Sequence, residues 1–286
     1  MTKQNLISVF EVIGKFLLAT VIMFAIAIFL MIPFFIGYGM DILNMQRSPE
    51  TLAGFLLMIS QPLAYLAAIW LMLLMFDRKR QWTLGFRDKQ GGQHLLSGML
   101  VGIVLMSAAF LLIWLAGGLQ PLALNWNAEV ARSLAVWFIF FIFVAVNEEV
   151  VARGYVQGLL KARLGVTAGI IGNSLIFAAL HLANSGVLDS PIPLLNLFLA
   201  GVLMALAREQ TGSLWAPIGI HLTWNFFQGN LYGFAVSGMD TPTLISIKTQ
   251  GPGWLNGSSF GAEGSLIGLL VLIAGILYYI FRLRKD

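Results

Sequence analysis

Charge is scarce in this sequence. Asp, Glu, Lys and Arg make up 10% of its 286 residues, and hydrophobic residues make up 58%. Soluble chains carry about 25% charged and about 45–50% apolar residues. A water-soluble fold of this length has too few charges here to cover its surface, and low-complexity disorder is excluded on the same ground. A mean hydropathy of +0.85 agrees. The bilayer is the expected solvent. Cysteine is absent, which excludes disulfides, thiolate zinc sites, iron–sulfur clusters and a cysteine nucleophile. Only 3 histidines and 13 carboxylates are present, so each ionisable group inside an apolar run is informative. The net charge of +4 is small, and no nucleic-acid partner is expected.

What is abundant is long apolar runs. A spanning helix needs about 20 mainly apolar residues, and eight segments qualify: 14–37, 52–76, 95–117, 132–158, 166–186, 191–207, 213–236 and 265–281. They are too continuous for the alternating strands of an outer-membrane barrel, which run about ten residues each. The expected fold class is all-α, a polytopic transmembrane helical bundle of about eight spans. The first apolar run, Phe16 to Ile36, outlasts a secretory h-region and has no small-residue cleavage site, so it reads as a retained span. The chain divides into an N-terminal scaffold of three spans (1–130), a core of four spans (131–236), and an external loop with a final span (237–286). The loop, 237–264, is rich in Gly, Ser, Thr and Pro.

Basic residues orient the bundle. Arg78, Lys79, Arg80, Arg87 and Lys89 fall in the 77–94 connection, Lys161, Arg163 and Arg208 in turns on the same side, and Arg282, Arg284 and Lys285 in the tail. With Lys3 and Lys15 they define the cytoplasmic side and place both termini there. Arg47, Arg132 and Lys248 remain outside. The protein is expected to be an integral, multi-pass membrane protein, in the cytoplasmic membrane if the source is bacterial. Trp82, Trp126, Trp215 and Trp254 suit interfacial positions, and the 77–94 segment suits the inner membrane surface. Gly165/Gly169 and Gly264/Gly268 offer close helix approach.

Beyond Lys15, five ionisable groups fall inside or near hydrocarbon without an evident structural excuse: Glu148, Glu149, Arg153, His181 and His221. Asn225 joins them. Such groups are costly in hydrocarbon and usually mark function. Glu149 and Arg153 are four residues apart and share a helix face, with the acid N-terminal to the cation. Glu148 is turned from Glu149 by about 100°, so the two carboxylates have different surroundings; Arg153 neutralises Glu149 and Glu148 points elsewhere. His221 and Asn225 also share one face and supply two donors toward one point, as an oxyanion requires. A carboxylate beside a histidine can take a proton from water. The resulting nucleophile attacks an amide carbonyl, with no Ser or Cys and no covalent intermediate. The bland alternative is a structural polar cluster that joins helices.

Three ordered motifs carry a family resemblance. Glu148-Glu149-Val-Val-Ala-Arg153, Phe177-Ala-Ala-Leu-His181 and His221-Leu-Thr-Trp-Asn225 resemble the EExxxR, FxxxH and HxxxN motifs of the CPBP intramembrane proteases. That family includes the type II CAAX prenyl endopeptidases and bacteriocin-processing or immunity-associated relatives. Thr211-Gly-Ser-Leu-Trp215 is also similar to the family, and the likeness covers about residues 131–230. Many members have an aromatic residue where this chain has Ala152. The resemblance implies an intramembrane endopeptidase of the glutamic type, with Glu148 as general base, His181 assisting it, His221 and Asn225 as the oxyanion site, and Glu149 and Arg153 supporting the site or binding substrate. It implies no cofactor and no metal ligand. The partner would be a membrane-associated protein or peptide presented from the lipid bilayer, C-terminally lipidated if the likeness extends to the substrate. On the spans above, Glu148 is near the cytoplasmic end of its span and His181 deep along the next, so a long, tilted fourth helix or a later start to the fifth is expected.

Two other classes fit the cluster. Two histidines and a glutamate are a known catalytic zinc set, although the HExxH signature is absent. A non-enzymatic chain, either a transporter with a proton relay or a bacteriocin-immunity or regulatory partner, is the other. No inverted repeat supports a transporter.

Overall fold

The computed structural model describes residues 3–39, 51–80 and 82–284. Arg47 and Lys285, two of the charges used for orientation, lie outside the described residues. The fold is a bundle of α-helices suited to a membrane. Among the described residues, six helices are long and apolar enough to cross one: Leu6–Tyr38, Leu52–Met75, Gly91–Leu115, Ala128–Leu164, Pro191–Thr211 and Leu266–Leu283. The other two expected spans take shorter forms. One is the 15-residue helix Val166–Leu180. The other is a 12-residue helix, Trp215–Phe226, that runs on into a π turn, Phe227–Leu231.

The elements in chain order are α1 (Lys3–Tyr38), α2 (Leu52–Met75), α3 (Gly91–Leu115), β1 (Leu119–Leu124), α4 (Ala128–Glu149), a π segment (Val150–Val156), α5 (Gln157–Leu164), α6 (Val166–Leu180), α7 (Pro191–Thr211), α8 (Trp215–Phe226) with its π segment, β2 (Ile245–Thr249), the short α9 (Gly253–Asn256) and α10 (Leu266–Leu283). They form two compact units, Met1–Leu84 with Val136–Gly169, and Gly85–Ala135 with Ile170–Asp286.

In the first unit α1 packs along α2. Val12, Ala19 and Met23 of α1 are buried, whereas Val21, Phe24, Ile28 and Phe29 are exposed. Apolar side chains in that number belong in hydrocarbon. Pro62 is buried inside α2; such prolines are tolerated in spanning helices where neighbours satisfy the freed backbone groups. The fourth helical run extends six residues past its expected end and is 37 residues long. At about 1.5 Å per residue it exceeds a hydrocarbon core of about 30 Å, so it leans or projects beyond the core. It ends at Gly165, whose φ of 90° is left-handed and costs glycine little.

Lys15 does not stand alone in its span. It donates to Asp77 at 2.7 Å and lies 3.2 Å from Glu11, while Arg163 grips Glu11 through two bonds of 2.6 and 2.7 Å. The Tyr155 hydroxyl donates to the other Asp77 oxygen at 3.0 Å. Trp82 meets the Tyr155 ring edge-on, so this tryptophan anchors the connector to the π segment.

The core of the second unit joins α3, α7, α8 and α10 through Met106, Phe110, Leu203, Ile220, Trp224 and Leu272. Gly98, Gly102 and Gly219 let α3 and α8 touch backbone to backbone: a methyl at Gly98 would strike the Ala216 carbonyl, and one at Gly102 would strike Thr223 and the Ile220 carbonyl. The Thr223 hydroxyl donates across the seam to Met99 O at 2.9 Å. This approach is closer than anything the Gly165/Gly169 pair supplies, since Gly165 has nothing near it. In the connector before α3, Phe86 packs edge-on against Trp215. Trp126 and Trp254 are exposed.

The 237–264 stretch is ordered. Antiparallel β1 and β2 pair Gln120 with Lys248 and slip register between Pro121 and Ala123, where proline has no N–H for the ladder. This small sheet is an addition to the expected all-α class. Ser265 caps α10 by accepting from Gly268 N at 2.9 Å, as Ser190 caps α7.

Candidate active site

Of the residues singled out by sequence, Glu148, Glu149 and Arg153 belong to the first unit, and His181, His221 and Asn225 to the second. Within the first unit, Arg153 Nη1 donates to Glu149 Oε1 at 2.8 Å, and both side chains are fully buried. The i, i+4 spacing puts them on one face. Glu148, one position earlier, is only half buried. The α-helix gives way to the π segment right after Glu149, and the Gln157 N–H reaches back five residues to Ala152 O. Isolated π turns are common at functional sites. All seven residues of this one are buried, Ala152 among them, so the departure from an aromatic residue falls where side chains are closely surrounded.

Within the second unit, α6 ends at Leu180 and His181 stands just beyond it in a turn. The helix is thus shorter than the expected 166–186. His181 Nδ1 lies 2.8 Å from the Phe177 carbonyl. A carbonyl only accepts, so the neutral ring is the Nδ1–H tautomer, and the lone pair that a base needs is on Nε2. The Phe177 ring lies 4.8 Å from the His181 ring and meets the His221 ring edge-on at 6.2 Å, centroid to centroid. One aromatic side chain therefore brings the second and third motifs together. Asn225 follows His221 by one turn of α8, and both are buried.

Packing fixes these helices. A methyl at Gly201 of α7 would collide with Ser174 of α6, so α7 lies directly against the helix that carries Phe177. The glycine seam with α3 holds α8. The α8 helix then passes into its own π segment, where Tyr232 N donates to Phe227 O at 2.9 Å.

Three features escaped sequence reasoning. The bridging role of Phe177 was hidden because one more Phe in an apolar span carries no signal. Asp77 was hidden in a basic connector. Glu263 lies in the stretch read as a loop, yet it is buried and accepts from Trp224 Nε1 at 3.2 Å.

The family described as type II CAAX prenyl endopeptidase Rce1-like matches residues 130–227. No curated protein matches the chain, and no solved structure does.

Proposed function

We propose that this chain, whose residues 130–227 match the CAAX protease family, is an intramembrane endopeptidase of the glutamic type. Residues 131–236 form its catalytic core, in a bundle of about eight spans with both termini on the cytoplasmic side. Glu148 takes a proton from water. His181 assists through Nε2, since Nδ1 is committed to the Phe177 carbonyl. The hydroxide equivalent attacks the peptide carbonyl carbon. His221 and Asn225 donate to the oxygen as it becomes an oxyanion, where fixed donors in a water-poor site act most strongly. Return of the proton to the amide nitrogen breaks the C–N bond and releases the amine. Glu149 and Arg153 support Glu148 from the buried face.

The observation that carries this reading is the single Phe177 ring flanked by His181 and His221. The substrate is a membrane-associated protein or peptide, C-terminally lipidated in keeping with the family name. No cofactor enters the reaction.

The test compares peptides released from membranes holding wild-type or Glu148→Ala protein, by mass spectrometry. One set of peptides is expected to disappear in Glu148→Ala and in His181→Ala, and to persist in wild type treated with a chelator. Equal release by Glu148→Ala and wild type would refute the role of Glu148. Loss on chelation with recovery on adding zinc would replace the water-activating carboxylate by a metal.

A further inference from the structure

Glu263 is a buried carboxylate that the proposed chemistry does not use, and it lies beyond the matched segment. Three donors converge on it. Trp224 Nε1 donates to Oε1 at 3.2 Å, and Ser237 donates to Oε2 twice, from its backbone N–H at 3.0 Å and its hydroxyl at 2.7 Å. Trp224 is on α8, three residues after His221 and one before Asn225. Ser237 continues the chain of contacts on its other side, where its carbonyl accepts from Asn184 Nδ2 at 3.0 Å. Asn184 N–H in turn donates to the His181 carbonyl at 2.9 Å. A path of hydrogen bonds thus runs from the His221/Asn225 helix through one carboxylate to the turn that carries His181.

Two details separate this from ordinary loop packing. The backbone around Glu263 is already held without its side chain: Asn196 Nδ2 donates to the carbonyls of Glu263 and Ser265 at 2.6 and 2.8 Å. And Ser237 has a φ of 49°, a left-handed conformation that a non-glycine residue keeps only when its surroundings enforce it. The two-residue turn between Val236 and Met239, closed by their reciprocal backbone bonds of 2.8 and 2.9 Å, sets that conformation, and it leaves both donors of Ser237 aimed at the carboxylate.

We infer that Glu263 is a positioning residue, which fixes the His181 turn against the helix bearing His221 and Asn225. The inference rests on the endopeptidase reading for its effect on rate, but not for its effect on the imidazoles. A carboxylate suits the task because it accepts on both oxygens. Glutamine would turn its own N–H donors toward Trp224 or toward Ser237.

The test uses the full chain in nanodiscs, as wild type, Glu263→Gln, Trp224→Phe and Ser237→Ala. Three quantities are read: the thermal midpoint, kcat and KM on a peptide substrate found in the release experiment, and the imidazole 15N shifts of His181 and His221. His94 serves as the internal control. In Glu263→Gln, kcat is expected to fall by about 10²-fold, the scale of a small misplacement of reacting groups. KM holds, the thermal midpoint falls modestly because a buried donor loses its acceptor, and both site imidazoles shift while His94 does not. Trp224→Phe and Ser237→Ala give the same pattern more weakly, and they carry the test should Glu263→Gln fail to fold. Wild-type kcat with unmoved imidazoles overturns the inference. If wild type cleaves nothing, the endopeptidase reading fails by itself and the imidazole shifts alone decide: movement sustains the coupling and its absence refutes it.

Discussion

Replacing Glu149 by alanine probes the energetics of the buried pair. The guanidinium and carboxylate are fully buried, 2.8 Å apart. At an effective dielectric of about 20, two unit charges at that separation attract by about 6 kcal/mol. Formation of the pair nets far less, because both ions lose their hydration. The variant keeps that loss for Arg153 and forfeits the Glu149 attraction, with the charge of Glu148 left to act on the guanidinium. Breaking a buried pair from one side costs about 3–5 kcal/mol, whereas replacing both partners by apolar groups of similar size is often neutral or stabilising. Glu149→Ala is therefore expected to lower unfolding stability by about 3–5 kcal/mol, and Glu149→Leu with Arg153→Met to recover most of it. Denaturant titration in mixed micelles, followed by tryptophan fluorescence at fixed lipid content, measures both. A Glu149→Ala protein as stable as wild type, or a double variant no more stable than the single one, would refute the reasoning. The double variant is still expected to be inactive, because stability and support of Glu148 are separate properties.

The glycine seam gives a second prediction. Gly102→Val drives a side chain into Thr223 and the Ile220 carbonyl, so a loss of at least about 1–3 kcal/mol is expected from overpacking, with slower cleavage because α8 moves. Gly92→Ala, where nothing lies within 4 Å, is expected to leave the unfolding midpoint unchanged or higher. A third concerns acid stability. His94 and Ser213 hydrogen bonds and the Gln90 N–H hold the Asp88 carboxyl down at about 2. A carboxyl depressed on folding contributes stability that is fully present above its unfolded value of about 3.9 and is lost as pH falls toward the folded one. Asp88→Asn should flatten the dependence of thermal midpoint on pH between about 4 and 2; an unchanged acid limb would contradict it.

The parts of this molecule legible in sequence are those governed by helix period and by solvent. Scarcity of charge named the bilayer, and the four-residue spacing of Glu149 and Arg153 foretold a bond that the structure contains. Span count was harder, because Val166–Leu180 and Trp215–Phe226 are apolar yet end early, one in the His181 turn and one in a π turn. Hydropathy sees the apolar run and not the hydrogen-bond pattern within it. Contacts distant in sequence were not legible at all. Phe177 reaches His221 across 44 residues and Trp224 reaches Glu263 across 39, and neither leaves a periodic trace. The sheet escaped for a similar reason: Leu119–Leu124 contains Pro121 and finds its partner more than a hundred residues away.

The two π segments explain why motif spacing works locally and then fails. The first begins right after Glu149 and contains Arg153, and the second begins at Phe227, two residues after Asn225. A π turn admits one extra residue, which rotates everything downstream by about 100° relative to an unbroken α-helix. A spacing of four still serves at the start of the first segment, where Arg153 reaches back to Glu149, and residues beyond each segment face partners that the same rule would miss. After the first π segment, Arg163 reaches Glu11, and a methyl at Gly158 would strike Trp82. Within the second, Asn230 Nδ2 donates to Pro242 O at 2.7 Å, and just after it Tyr232 stacks on Phe110 at 4.4 Å. The extra residue lets one helix present its polar pair in one direction and its anchoring side chains in another. Those anchors lie largely outside residues 130–227: Glu11, Asp77 and Trp82 before the matched segment, with Tyr232, Pro242 and Glu263 after it. The motif residues carry the proposed chemistry, but flanking residues hold the helices on which they stand, which is why a family match to a third of the chain does not describe the whole support of those residues.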